Sequence, residues 1–139
     1  VPPHVAPAVV ERSGLLGGNA WAPVDRHTME TGTPDVYAIG DITGIPLSNG
    51  TPMPKAGVFA HHQGEAVAQT IASQITGKGS SGRFDGAGEC FIEVGGGKAG
   101  FGRGNFYAEP SPRVKLRPPT RYWHAGKILF EKDWFRRWF

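Results

Sequence analysis

The sequence predicts a mixed α and β chain, α/β in the character of its first half and closer to α+β in its proportions as a whole. Three observations predict it. Val36-Tyr37-Ala38-Ile39, bounded by Pro34-Asp35 and Gly40-Asp41, is a short apolar run of the kind that forms a strand buried on both faces. Residues 55–75 place Ala60, Gly64, Val67, Ala68, Ile71 and Ile75 at the i, i+3, i+4 spacing of one helix face. Residues 90–94 and 98–107 flank Gly95-Gly96-Gly97 as the arms of an antiparallel hairpin.

Taken in order, the chain opens on a proline-broken segment. Pro7 suits a first helical turn, residues 8–12 continue it, and Gly14 or Gly17-Gly18 ends it. Residues 21–24 fit a short strand, and a turn-rich connection leads to the Val36 run. Residues 42–54 are loop by composition. The face of the 55–75 helix is built of small residues, which permits close approach of another backbone. Residues 77–88 form a glycine- and serine-rich joint. A proline-rich passage, residues 109–120, separates the hairpin from an amphipathic helix over 123–139. A strand of a parallel sheet needs parallel neighbours, and the chain supplies no second convincing βαβ unit.

Composition narrows the function classes. The 139 residues are 39% hydrophobic and 19% charged, enough to bury a core. Glycine (21) and proline (12) are abundant but follow no collagen-like period. No apolar run reaches the ~18 residues of a membrane span. A net charge of +3 is small for a nucleic-acid binder, so no such partner is expected. The single cysteine, Cys90, excludes an internal disulfide framework and a CxxC metal site. The first residue is Val1, and a piece of a larger protein is one expectation.

Thr33-Pro34-Asp35-Val36-Tyr37-Ala38-Ile39-Gly40-Asp41 resembles the second flavin-binding motif of flavoproteins with two dinucleotide-binding domains. Its glycine lets a ribityl chain approach the backbone, and its aspartate accepts hydrogen bonds from ribityl hydroxyls. Pro54-Lys55-Ala56-Gly57 then opens a helix whose N-terminal amides can face the electron-rich edge of a reduced flavin. Taken alone, Gly40-Asp41 also fits a chain that merely turns after a buried strand. His61 and His62 follow one turn into the helix, where exposed or satisfied structural histidines are expected.

Within that superfamily, the pyridine nucleotide-disulfide oxidoreductases, the chain is similar to the C-terminal third of sulfide:quinone oxidoreductase and of the flavoprotein subunit of flavocytochrome c sulfide dehydrogenase. Val1-Pro2-Pro3, Glu89-Cys90-Phe91-Ile92 and the spacing His124-x-x-Lys127-x-x-Phe130-Glu131-Lys132 carry the similarity. The resemblance implies an incomplete Rossmann-like FAD-binding piece over 1–78 and a hairpin plus amphipathic helix over 79–139. It implies FAD as cofactor, held at Gly40, Asp41, Lys55, Ala56, Gly57 and Val58. It implies Cys90 as the redox cysteine that works with a second cysteine on sulfide, and Lys127, Phe130 and Phe91 around a quinone. Lys127 is then the nearest candidate to stabilise a Cys90 thiolate. Strand alternation turns Phe91 away from Cys90, which makes Phe91 the weakest quinone assignment.

A lone cysteine on a strand is also a common inert core residue. On a helical wheel Phe130, Trp134, Trp138, Phe135, Ile128 and Phe139 form an apolar arc opposite Lys132, Asp133, Arg136 and Arg137. Such a helix can lie in a membrane interface or pack on its own domain. The expectations are therefore an oxidoreductase that passes electrons from sulfide through flavin to a quinone, peripheral to a cytoplasmic or periplasmic membrane face, and self-associating through an exposed sheet edge. The alternatives are a cytochrome acceptor, as in the flavocytochrome c type, and a non-catalytic binding or assembly module. No Gly-rich phosphate loop follows a strand, so the chain alone is expected not to hold FAD tightly.

Overall fold

The computed structural model describes residues 5–139, so the Val1-Pro2-Pro3 match lies outside the described residues. Helix α1 (Ala8–Arg12) forms where expected, with Pro7 at its N-cap. A long irregular segment follows, broken by a 3-10 turn at Gly40–Ile42. Helix α2 (Gly57–Thr76), strands β1 (Ala87–Gly95), β2 (Lys98–Asn105) and β3 (Arg113–Thr120), and helix α3 (Arg121–Trp138) complete the chain. The strands form one antiparallel sheet in the order β1-β2-β3. The fold is α+β.

No parallel sheet forms among the described residues. The expected strand at 36–39 is not one: Tyr37 makes a single antiparallel bridge to Glu30, and Ile39 is 41% exposed. The turn Thr33-Pro34-Asp35 folds this run back on the preceding residues, with the Thr31 and Ala38 N–H groups donating to the Val36 and Met29 carbonyls at 2.8 and 3.1 Å. The expected strand at 21–24 also reduces to one bridge, the parallel pair Ala22–Thr43. The reason is the one that limits any buried parallel strand. It needs ladder partners on both sides, and a single bridge is all these residues offer.

The core forms instead from loop residues gathered under α2. Met29, Ile45, Leu47 and Met53 pack with Phe59, Ala66 and Val67 of α2 and with Phe84 and Tyr107 from the flanks of the hairpin. Phe59 is central to this cluster, edge-on to Phe106 at 5.0 Å and to Phe84 at 6.3 Å. The buried side of α2 is therefore Phe59, Gln63, Ala66, Val67 and Thr70, which shares only Val67 with the small-residue face read from periodicity. Ile71 and Ile75 lie on the outward side, Ile75 at 80% exposure. A second clasp joins the loops to the hairpin's end. The Tyr107 hydroxyl donates to the Arg26 carbonyl at 2.6 Å, and the Arg26 guanidinium lies 4.2 Å over the Tyr107 ring.

The hairpin turn follows its glycines. Gly96 and Gly97 both adopt positive φ (61° and 66°), the pair of angles a type I′ turn requires and other residues resist. The register shift between Glu93 and Gly95 marks a bulge just before it. Strand β3 lies within the passage expected to be a proline-rich spacer. It is an edge strand, and Pro118 and Pro119 fall where the β2–β3 register shifts, between the Phe101–Arg117 and Ala99–Thr120 pairs, so their missing N–H groups interrupt no regular ladder pair.

Helix α3 lies across one face of the sheet, starting from the Thr120 hydroxyl, which accepts the Trp123 N–H at 3.3 Å. Trp123 stacks on Phe101 at 4.7 Å, Phe130 lies 6.1 Å from Phe91, and Ala99 beneath is fully buried. Further along, Trp134 and Trp138 sit edge-on to His61 of α2, at 5.1 and 5.6 Å. The apolar arc is thus only partly covered. Phe130, Trp134 and Trp138 have aromatic neighbours on β1 and α2, yet Phe130 and Trp138 remain 55% and 58% exposed, close to Phe135 at 57%, and Phe139 is 94% exposed. Among the described residues no helix is long and apolar enough to cross a membrane.

Candidate functional site

The 3-10 turn at Gly40–Ile42 and the start of α2 meet at one small recess. Gly40, Asp41, Thr43, Met53, Pro54, Lys55, Ala56, Phe59 and Gln63 line it. Its volume, about 10 Å³, suits a single water, so it is a notch on a surface and not an enclosed pocket. Four of the six residues assigned to flavin contact line it, and Gly57 and Val58 follow directly as the first turn of α2.

Three local devices hold this arrangement. Gly40 has φ of +73°, and a Cβ there would stand 3.1 Å from the Ala60 Cβ. Glycine is needed because the turn backs onto α2 in a left-handed conformation. Its N–H donates to Oε1 of Gln63 at 2.6 Å, and Gln63 is almost fully buried. Lys55 closes the third side. Its ammonium donates to the carbonyls of Asp41 and Thr43 and lies 3.7 Å over the Trp21 ring. Burial holds the Lys55 ammonium below its ordinary range, and the Asp41 charge opposes that shift.

Two sets of polar groups remain unclaimed here. The Asp41 carboxylate, exposed, makes no hydrogen bond or ion pair among the described residues. Helix α2 has Ala56 at its N-cap, no side-chain cap and no acid in its first turn. The first intrahelical donors with partners are Phe59 and Ala60, both to the Ala56 carbonyl, which leaves the Gly57 and Val58 N–H groups free. Free N–H groups at the positive end of a 20-residue helix favour an electron-rich group.

The hairpin distributes the other candidates by strand parity. Phe91, Glu93, Phe101 and Ala99 face α3, while Gly88, Cys90, Ile92 and Gly102 face the other way. A Cβ at Gly88 would overlap the Phe59 ring, so the Cys90 face is the one that turns toward the start of α2. Cys90 is exposed, and its thiol donates to the Phe91 carbonyl at 3.2 Å.

Lys127, Phe130 and Phe91 gather on the α3 face. Gly126, just before Lys127, sits against Phe91, where a Cβ would be 3.4 Å from the ring. Lys127 lies 4.0 Å from Glu93 and 3.6 Å from Glu131. It is therefore on the opposite side of the sheet from Cys90 and already engaged, which removes it as the cation expected to stabilise a Cys90 thiolate. Phe91, the weakest of the three by parity with Cys90, lies on the α3 face against Gly126 and 6.1 Å from Phe130.

The histidines behave as satisfied structural groups. His62 lies 3.3 Å from the Ala87 carbonyl, and His61 stands 3.4 Å from Glu65 and against the two tryptophans. Reading the sequence missed Gln63. Its one signal is a glutamine on the same helical stripe as Phe59, Ala66 and Thr70. No protein-family model matches the chain.

Proposed function

We propose that this chain supplies one wall of a flavin site in an FAD-dependent oxidoreductase that oxidises sulfide and passes the electrons to a quinone. One observation carries the reading. The Gly40-Asp41 turn is fixed by Gln63 and Lys55 against the uncapped first turn of α2, with the Asp41 carboxylate free at the notch and two helix N–H groups free just past Ala56, which also lines it. A carboxylate that accepts hydroxyl donors, next to free N–H groups that face an electron-rich ring edge, is the donor and acceptor set a flavin needs. The notch takes only an edge of such a group, so the remainder of the cofactor must rest on residues outside this set.

When bound, FAD would accept an electron pair from the sulfur substrate and release it to the acceptor. The chain's own residues have separate roles. Asp41 orients the cofactor, Lys55 positions the turn that carries Asp41, and the Gly57 and Val58 amides stabilise negative charge at the end of α2. Cys90, exposed on the face that turns toward α2, receives the sulfur together with a second cysteine. Lys127, Phe130 and Phe91 contact the quinone on the α3 side, where Phe135 and Phe139 rest in a membrane interface.

The test uses the protein at its native length, reconstituted with FAD. It should show a flavin absorption band, and Asp41→Ala should weaken FAD at least tenfold. Cys90→Ser should keep the flavin but lose its bleaching by sulfide. A protein that stays colourless after reconstitution overturns the flavin reading, and sulfide bleaching at the wild-type rate in Cys90→Ser overturns the sulfide reading. If a cytochrome, and not a quinone, reoxidises the flavin, the acceptor is the haem type.

A further inference from the structure

We propose that the groove between β3 and the first turn of α3 binds a phosphate ester, with its phosphate on Arg103, Lys115 and Arg117 and its organic part against Phe101 and Trp123. The groove is open to solvent and spans about 630 Å³, within the size range of small-ligand sites. Its lining also includes Arg113 and Pro112. This inference is independent of the flavin reading.

The charge distribution is the first observation. Residues 112–121 contain Arg113, Lys115, Arg117 and Arg121 and no acid. Among the described residues Lys115, Arg117 and Arg121 form no ion pair. Helix α3, whose polar side carries Lys132, Asp133, Arg136 and Arg137, pairs three of its cations with acids. Arg136 and Arg137 both reach Asp133, at 3.1 and 2.7 Å, and Lys127 is held by two glutamates. Among the described residues of β3 and α3 the cations without an ion pair cluster on the edge strand, at Arg113, Lys115 and Arg117, with Arg121 at the start of α3 beside them and Lys132 further along that helix.

Register is the second observation. Arg103 is directly opposite Lys115, and Phe101 is directly opposite Arg117. Like charges facing each other across strands destabilise a sheet unless an anion lies between or beside them. Glu89 reaches Arg103 from β1 at 3.6 Å but leaves the β3 side uncompensated. The third observation is the aromatic wall. Phe101 and Trp123 are parallel to 13° at 4.7 Å, a rigid apolar surface at the end of the cation row. Guanidinium forks and an ammonium lining one groove beside an aromatic wall suit a phosphate that carries an apolar or aromatic group.

The source of that phosphate can be a soluble ester or a lipid headgroup, and the test separates them. Phenyl phosphate is titrated into the native-length protein by calorimetry, and vesicles of phosphatidylglycerol in phosphatidylcholine are used for flotation. Lys115→Gln/Arg117→Gln alters exposed side chains only, and Lys132→Gln/Arg136→Gln serves as an equal-charge control on α3. The expected result is phenyl phosphate binding that weakens at least tenfold in the first double variant, stays within twofold in the control, and falls with added salt. If the first variant also loses flotation and phenyl phosphate competes with vesicles, the lipid headgroup is the source. If flotation is unchanged, the source is a soluble ester. Absence of both phenyl phosphate binding and flotation, or equal loss in the control, overturns the proposal.

Discussion

Replacing Gln63 with leucine tests the device that fixes the candidate site. Gln63 is 1% exposed, and its Oε1 accepts the Gly40 N–H at 2.6 Å. Leucine fills similar space but cannot accept, so the Gly40 N–H loses its partner beneath α2. Stranding one buried donor costs about 1–3 kcal/mol. For a chain of this size that corresponds to a fall in Tm of roughly 3–10 °C. Gln69→Leu, at an exposed position of the same helix, should stay within about 0.5 kcal/mol. Gln63→Glu sharpens the test, because it keeps an acceptor but introduces a buried acid. Burial raises the folded-state pKa of such an acid. Its stability should therefore be retained near about pH 4 and lost as pH rises through that raised value. Urea denaturation at about pH 4 and about pH 7, with amide exchange at Gly40, measures all three variants. If Gln63→Leu unfolds at the wild-type midpoint and Gly40 exchanges no faster, the hydrogen bond does not hold the turn.

Two further outcomes are expected. Gly40→Ala must place a Cβ at φ of +73° and 3.1 Å from the Ala60 Cβ, so it should cost about 1–3 kcal/mol and weaken any ligand at Asp41, whereas Gly57→Ala, with open space around it, should leave stability nearly unchanged; thermal melts compare them. Tyr107 has its hydroxyl pKa pushed well above the ordinary value, by burial first and then by the Asp25 and Asp85 charges, with Arg26 opposing. A raised folded-state pKa means stability that is whole below the unfolded value of about 10 and is lost as pH climbs above it. Tyr107→Phe should lower stability by about 1 kcal/mol at neutral pH through the lost bond to the Arg26 carbonyl, and flatten the decline above about pH 10, as followed by denaturation across that range.

What could be read from the sequence depended on how local the physics was. The α1 helix, the existence of α2 and the Gly96-Gly97 hairpin rest on short-range rules, and each formed within a few residues of expectation. The buried face of α2 did not follow, because a stripe of small residues and a stripe containing Phe59 are both apolar at helical spacing. Which one is buried depends on the loops that Met29, Ile45 and Met53 bring from elsewhere. The same limit applies to Gln63. A buried glutamine is intelligible only once the Gly40 N–H lies opposite it, and no periodicity reports that. Strand β3 was legible in principle, since Val114 and Leu116 alternate with Arg113, Lys115 and Arg117, but its prolines read as a spacer without knowledge that it forms an edge. That edge is charged and ends in two prolines, features that oppose addition of a further strand.

Strand parity places a constraint on the proposed chemistry. Cys90 and Phe91 are neighbours on a regular stretch of β1, so they must project from opposite faces, and the only register shift in the β1–β2 ladder comes later, between Glu93 and Gly95. The residues proposed for sulfur and those proposed for the quinone are therefore divided by the thickness of one sheet. Gly100, Gly102 and Gly104 leave the Cys90 face of the central strand without side chains beyond Lys98 at its start, while Phe101 and α3 fill the other face. Because β1 is an edge strand, a planar group beyond that edge could touch both sides at once. Under the proposed function, this division would keep sulfide and quinone on opposite faces of the sheet, so that the flavin alone would connect them. The cation for a Cys90 thiolate must then come from the Cys90 face or from beyond that edge, since Lys127, bound to Glu93 and Glu131, lies behind the sheet.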